Sequence, residues 1–187
     1  MRRPGSPILA LALALALAPA LLGCEGAGGA EAGVGEPVPE YGALSLVGDS
    51  VSLAELRGSA VLLNVWATWC PPCRREMPEL QALHERNATR GLRVVGVSID
   101  ARGADDLVED FLDEYGITYA IWRDPDERVA SAFAIQGVPA TILIDRAGIV
   151  RWRRLGPISA EDPALVEALE EVLQGSGIRD QGSGDEP

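Results

Sequence analysis

The chain has 187 residues, with 16 basic residues, all arginine, against 28 acidic ones, a net charge of −12, three cysteines and one histidine. That balance excludes a basic nucleic-acid-binding face, which needs clustered positive charge. Three cysteines make at most one bridge, which excludes a disulfide-stapled miniprotein, and an apolar content of 47% is ample for a core.

The first residues read as a targeting segment. Arg2 and Arg3 precede an apolar run of 15 residues, Ile8 to Leu22, interrupted by Pro19. About 20 residues are needed to span a bilayer, so the run is the hydrophobic region of a secretory signal. It closes on Leu21-Leu22-Gly23-Cys24. That string resembles the lipobox of bacterial lipoproteins, although Leu22 is a less usual residue at its position. The resemblance implies a signal peptide over 1–23 and lipid attachment at Cys24. A cleaved signal that merely carries a cysteine is the plainer alternative. Cleavage before Cys24 removes two arginines and no acid, which takes the net charge from −12 to −14. Such a surface does not cling to anionic headgroups, so attachment falls to acyl chains.

Residues 24–40 read as a flexible tether. Glu25 to Glu40 contains five glycines, three alanines and two prolines, with no aromatic residue. As a coil these 16 residues span roughly 20–24 Å. Residues 175–187 read as a disordered tail for the same compositional reason. The folded domain is expected over 41–174.

Within it, strands and helices alternate. Ala43–Val47 and Val51–Leu53 read as a short hairpin. Ala60–Trp66 (AVLLNVW) is a nearly continuous apolar run, as in a strand buried on both faces. A helix is predicted from Pro72 to Asn87, with Met77, Leu80 and Leu83 on one face. Leu92–Ile99 is a second buried strand. Asp105–Tyr115 reads as a helix with Leu107, Val108, Phe111 and Leu112 inward. Thr118–Trp122 is a short strand and Glu127–Phe133 a short helix. Thr141–Asp145 and Ile149–Leu155 form a hairpin across Arg146-Ala147-Gly148. Glu161–Gln174 closes the domain with Leu165, Val166, Leu169, Val172 and Leu173 as its stripe. The alternation predicts an α/β domain with a central mixed sheet flanked by helices.

The chemistry-bearing segment is Trp66-Ala67-Thr68-Trp69-Cys70-Pro71-Pro72-Cys73. A strand ends and a helix begins at the cysteines. Unpaired N–H groups and the dipole at a helix N-terminus stabilise a thiolate, the attacking species in disulfide exchange. Cys73 lies about one turn on and can resolve a mixed disulfide. Proline suits the first turn, where its missing N–H has no helical partner.

This segment resembles thioredoxin-like proteins, and more closely the membrane-anchored TlpA/ResA branch of thiol–disulfide oxidoreductases. Trp69-Cys70-x-x-Cys73 follows a buried strand. Pro78 stands five residues after Cys73, where the family kinks its active-site helix. Gly137-Val138-Pro139-Ala140-Thr141 precedes a strand, as the family's cis-proline loop does. The resemblance covers 41–174 and implies a thioredoxin-like fold with an N-terminal β-hairpin. It also implies an extra helix and strand over Ala101–Arg123. It further implies a redox disulfide between Cys70 and Cys73, and a substrate surface at Trp69, Pro72, Val138 and Pro139. Trp69 is expected beside the thiol, limiting water. The buried aspartate that thioredoxins carry six residues before the first cysteine is Asn64 here, which takes no proton. The branch's glutamate, three residues after the second cysteine, is Glu76. A carboxylate beside a buried thiol can shuttle its proton, whereas the plainer reading has Glu76 complement the helix N-terminus. A second acid of some relatives aligns near Ala101 and is absent, unless Asp100 substitutes.

Other readings are weaker. A zinc site needs four ligands, and His84 is expected on the surface. Cys70 lacks the Pro-x-x-x-Thr-x-x-Cys string of peroxiredoxins. The run Asp105, Asp106, Glu109, Asp110, Asp113, Glu114 reads as a solvated helix face. The expectation is therefore an extracytoplasmic enzyme, lipid-anchored to a bacterial membrane, with no cofactor and no metal. Its partners are protein thiols and disulfides and a membrane electron donor or acceptor protein, with no nucleic acid, and the chain is expected to be a monomer. Reduction of protein disulfides, with cytochrome c maturation as one setting, is the first reading. A disulfide-forming oxidase, a peroxidase and a tethered binding module are the alternatives.

Overall fold

The computed structural model of the protein describes residues 33–175. The signal peptide, Cys24 and the tail beyond Gly175 lie outside the described residues. Seven strands and four α-helices alternate: β1 (Gly42–Ser45), β2 (Ser50–Ser52), β3 (Ala60–Trp66), α1 (Pro71–Asn87), β4 (Leu92–Ser98), α2 (Asp105–Tyr115), β5 (Ala120–Arg123), α3 (Arg128–Ala132), β6 (Ala140–Ile144), β7 (Val150–Leu155) and α4 (Pro163–Gln174). The strands form one mixed sheet in the order β2-β1-β5-β4-β3-β6-β7. β3, β4 and β5 run parallel, and the remaining pairs are antiparallel. The predicted elements are all present. The N-terminal hairpin docks on β5, which the extra helix–strand segment supplies. None of the described helices is long and apolar enough to cross a membrane.

The sheet is covered on both faces, which is why all seven residues of β3 are buried. On one side Leu62, Trp66 and Val94 pack with Met77, Leu80, Phe111, Leu165 and Leu169 from α1, α2 and α4. On the other, Val61, Leu63, Val65 and Val97 pack with Tyr41, Val129 and Phe133. Successive β3 side chains thus feed opposite cores, as strand geometry requires.

Two inward assignments need correction. Leu107 is 62% exposed and Val166 42% exposed. Both stand at the rim of their helix's apolar arc, while Val108, Phe111, Leu112, Leu165, Leu169, Val172 and Leu173 are buried as expected. Element ends also move. α4 starts at Pro163 because the Asp162 side chain accepts from the Ala164 and Leu165 amides, a cap that Pro163 at the first helical position favours.

Residues 35–38, which composition assigns to the tether, are paired to the start of β7. Gly35 donates to Val150 O (2.8 Å), Val150 to Glu36 O (2.9 Å) and Val38 to Gly148 O (2.9 Å). Pro37 bridges Ile149, and a proline is tolerated on such an edge because it has no N–H to donate. The chain enters through a turn closed by Glu36 N to Gly33 O at 3.1 Å, with Gly35 at φ +94°.

Candidate active site

The site is built where β3 hands over to α1. Trp66 ends the strand, and a turn from Ala67 to Cys70 is closed by Cys70 N to Ala67 O at 3.2 Å. Cys70 is the N-cap of α1, extended at φ −97°, ψ 102°, and its Sγ accepts from the Cys73 amide at 3.3 Å. Pro71 and Pro72 occupy the first turn. The two cysteines form a disulfide, S–S 2.07 Å with 5.3 Å between Cα atoms. Cys70 is 4% exposed and Cys73 fully buried, so Cys70 is the less buried of the pair. Trp69 projects into solvent from the turn, 62% exposed. Pro72 is half-buried.

The second loop arrives from β6. Val138–Pro139 is cis. Ala140, the next residue, lies opposite Val65 of β3 and Leu155 of β7, which places Pro139 at the end of the sheet from which Cys70 emerges. The Pro139 carbonyl accepts from Gly156 N at 2.8 Å. Val138 is half-buried, and its main chain has no hydrogen-bond partner among the described residues. Its amide and carbonyl are available to an extended peptide.

Glu76 stands one turn beyond Cys73 on α1, and both side chains are buried; residues three apart on a helix are neighbours. Asn64 Nδ2 donates to its Oε1 at 2.8 Å and Ile158 N to its Oε2 at 2.9 Å. Asn64 Nδ2 also meets Thr141 Oγ1 at 3.0 Å. The carboxylate therefore does not complement the helix N-terminus. It ties α1 to β3 and to the loop after β7. Burial pushes its pKa up to about 7, against the opposing pull of the Ile158 and Asn64 hydrogen bonds, because desolvation penalises the charged form. Asn64 was notable in sequence only for lacking a proton; in the structure it is the amide that holds Glu76. No local spacing announces the Thr141 and Ile158 partners, which come from 77 and 82 residues away.

Asp100 is buried, 2% exposed, and bonds to Thr68 and Ser98. Ala101 is exposed. His84 is half-buried with its ring edge toward Tyr119, centroids 6.2 Å apart, rather than on the open surface. The acidic face of α2 is solvated, with Asp105 paired to Arg123.

The AhpC/TSA family model matches residues 34–153. The thiol–disulfide oxidoreductase ResA of Halalkalibacterium halodurans is 37% identical over 140 residues, covering 75% of this chain and 77% of that one. ResA of Geobacillus kaustophilus is 35% identical over 130 residues, covering 69% and 73%. The chain belongs to the ResA-type thiol–disulfide oxidoreductases. Solved structures agree with the family. A thiol:disulfide interchange protein of the thioredoxin family from Chlorobium tepidum superposes with a TM-score of 0.63 at 29% identity, covering 75% of this chain and 98% of that one. A DsbF homologue from Corynebacterium diphtheriae gives a TM-score of 0.63 at 32% identity, covering 72% and 85%. The fold is thioredoxin-like, and the enzyme is a thiol–disulfide oxidoreductase that carries a Cys70–Cys73 pair.

Proposed function

We propose that this ResA-type enzyme is an extracytoplasmic protein-disulfide reductase, anchored through a lipid on Cys24. The observation that carries the chemical reading is the unequal burial of the cysteine pair, with a buried carboxylate one turn beyond. In the reduced enzyme the Cys70 thiolate attacks a substrate disulfide. One substrate sulfur leaves as a thiolate and the other is held in a mixed disulfide. Glu76 takes the proton of Cys73. The Cys73 thiolate then attacks Cys70 Sγ, the second substrate sulfur leaves, and the Cys70–Cys73 disulfide forms. Two electrons pass to the substrate, and a membrane electron donor protein must restore them. Trp69, Pro72, Val138 and Pro139 form the surface on which the substrate lies, with the free main chain of Val138 pairing to it. No cofactor or metal enters, since the electrons reside in sulfur. Cytochrome c maturation, which requires reduced haem-binding cysteines, is a setting that fits this direction.

The direction rests on the resemblance to the TlpA/ResA branch. One observation favours the opposite reading, an oxidase: Cys70 caps α1, and a helix N-terminus stabilises the thiolate of the reduced form. The reduction potential decides between them. Equilibration of the full chain, purified in detergent, against glutathione is expected to give a value near or below about −220 mV, among the reductants. A value near about −120 mV would belong to a strong oxidant and reverse the direction. Absence of a reversible couple would leave only a tethered binding module. Cys73→Ser is expected to trap substrates on Cys70 as mixed disulfides, visible on non-reducing gels, and Cys70→Ser to trap none.

A further inference from the structure

The turn that presents Cys70 is held from outside by a carboxylate. Asp100 follows β4, the parallel neighbour of β3, and the ladder continues past the strand ends through Ile99 N to Trp66 O at 3.0 Å. That contact brings Asp100 under the Ala67–Cys70 turn. Thr68 N donates to both its oxygens, at 3.2 and 3.1 Å, and Thr68 Oγ1 to Oδ1 at 2.6 Å. Ser98 Oγ donates to Oδ2 at 2.9 Å and accepts from the Asp100 amide at 3.2 Å. Every donor is neutral. No cation pairs with Asp100 among the described residues.

Burying a carboxylate without a counter-ion is expensive unless hydrogen bonds replace its water. Here they do, and all serve two residues, one of which is the second residue of the turn. Thr68 is two positions before Cys70, and Trp69 between them is exposed. The clamp therefore fixes the residue from which both depart. It also sets a carboxylate with no cation partner on Thr68, two residues before Cys70 in the turn that leads into α1. A like charge disfavours a thiolate. A less stable reduced form makes the couple more reducing, which opposes the oxidising influence of the helix N-terminus.

We propose that Asp100 is a positioning residue of the redox site, which clamps Thr68 to fix the Trp69–Cys70 turn and biases the Cys70/Cys73 couple toward donating electrons. The proposal rests on Cys70 and Cys73 being the working couple. Its geometry separates it from proton transfer: the carboxylate faces Thr68 and Ser98, whereas Glu76 faces Asn64 and Ile158.

The test uses the full chain in detergent, carrying Asp100→Asn, Thr68→Val or Thr68→Ser, with Asp124→Asn as a control. Asp124 is likewise buried, but it holds Tyr41, Arg128 and the Val129 amide. Two quantities are read: the redox equilibrium constant with glutathione, and the rate of attack of the reduced enzyme on a small aromatic disulfide. Asp100→Asn is expected to shift the constant toward the reduced protein by about tenfold, or about 30 mV. Thr68→Val is expected to slow or misdirect attack by several-fold, with Thr68→Ser restoring it. Asp124→Asn is expected to lower the melting temperature and leave both quantities unchanged. Should Asp100→Asn not fold, the Thr68 pair decides alone. Constants and rates within twofold of the parent, in folded variants, overturn the proposal even where stability falls. Absence of a reversible couple in the parent would instead overturn the reading on which the proposal rests.

Discussion

Glu76 is a carboxylate whose folded environment prefers it protonated, and that preference is visible in stability. Its pKa rises from 4.5 to about 7 on folding. The folded state therefore binds this proton more tightly than the unfolded chain does. The resulting stabilisation is fully present below pH 4.5 and is lost as the pH rises through about 7, an effect on the order of 3 kcal/mol. The melting temperature of the oxidised enzyme is expected to fall between pH 5 and pH 8.5, and Glu76→Gln, which cannot ionise, is expected to flatten that slope. A thermal melt series in matched buffers checks it, and equal slopes in both proteins would remove Glu76 as the source. The resemblance to the TlpA/ResA branch pointed to Glu76, three residues after Cys73. It did not show that Asn64 and Ile158 hold it, with Thr141 behind Asn64, because those contacts bring together α1, β3, β6 and the loop after β7 over separations of 12, 77 and 82 residues. Local pattern reports which side chains a helix buries and is silent on what waits for them.

Among the elements, β4 shows how closely the layers fit. Gly96 lies opposite Asn64 of β3 and Ile121 of β5. A Cβ there would stand 2.8 Å from Ile121 Cδ1, 3.0 Å from Trp66 Nε1 and 3.2 Å from a Tyr119 ring carbon. Glycine in a strand interior marks such a close approach. Gly96→Ala is expected to destabilise by about 1–3 kcal/mol, read as a lower denaturation midpoint in urea, with the redox couple retained. An unchanged midpoint would show that Ile121 and Tyr119 yield freely. The elements themselves were legible because β3 and β4 are apolar on both faces, which only a doubly covered sheet explains, and because α1 announces itself through Pro71, Pro72 and a regular stripe. The arcs of α2 and α4 were read too wide, since periodicity locates the centre of a buried face and not its rim. Leu107 and Val166 sit on that rim.

For the whole molecule, the least legible feature was where the fold begins. A stretch of glycine, alanine and proline reads as linker, yet Gly35, Glu36 and Val38 pair with Gly148 and Val150 at the start of β7. A chain starting at Pro39 loses three main-chain bonds, each worth about 0.5–1.5 kcal/mol, and uncovers a strand edge open to pairing with other chains. It is expected to melt lower and to aggregate sooner than a chain starting at Gly33; identical melting and light-scattering curves would make that pairing idle. The same turn also gives the molecule two poles. Val150, beside the entering chain, is level with Val61 through Ile144, while Leu155 is level with Val65 through Ala140. The length of β7 therefore separates the point of entry from the reactive disulfide by roughly 17 Å. On the anchoring proposed at Cys24, the chain joins the domain at the end of the sheet opposite Cys70. Clients and an electron donor would then reach the couple at the end of the sheet that the entering chain leaves free.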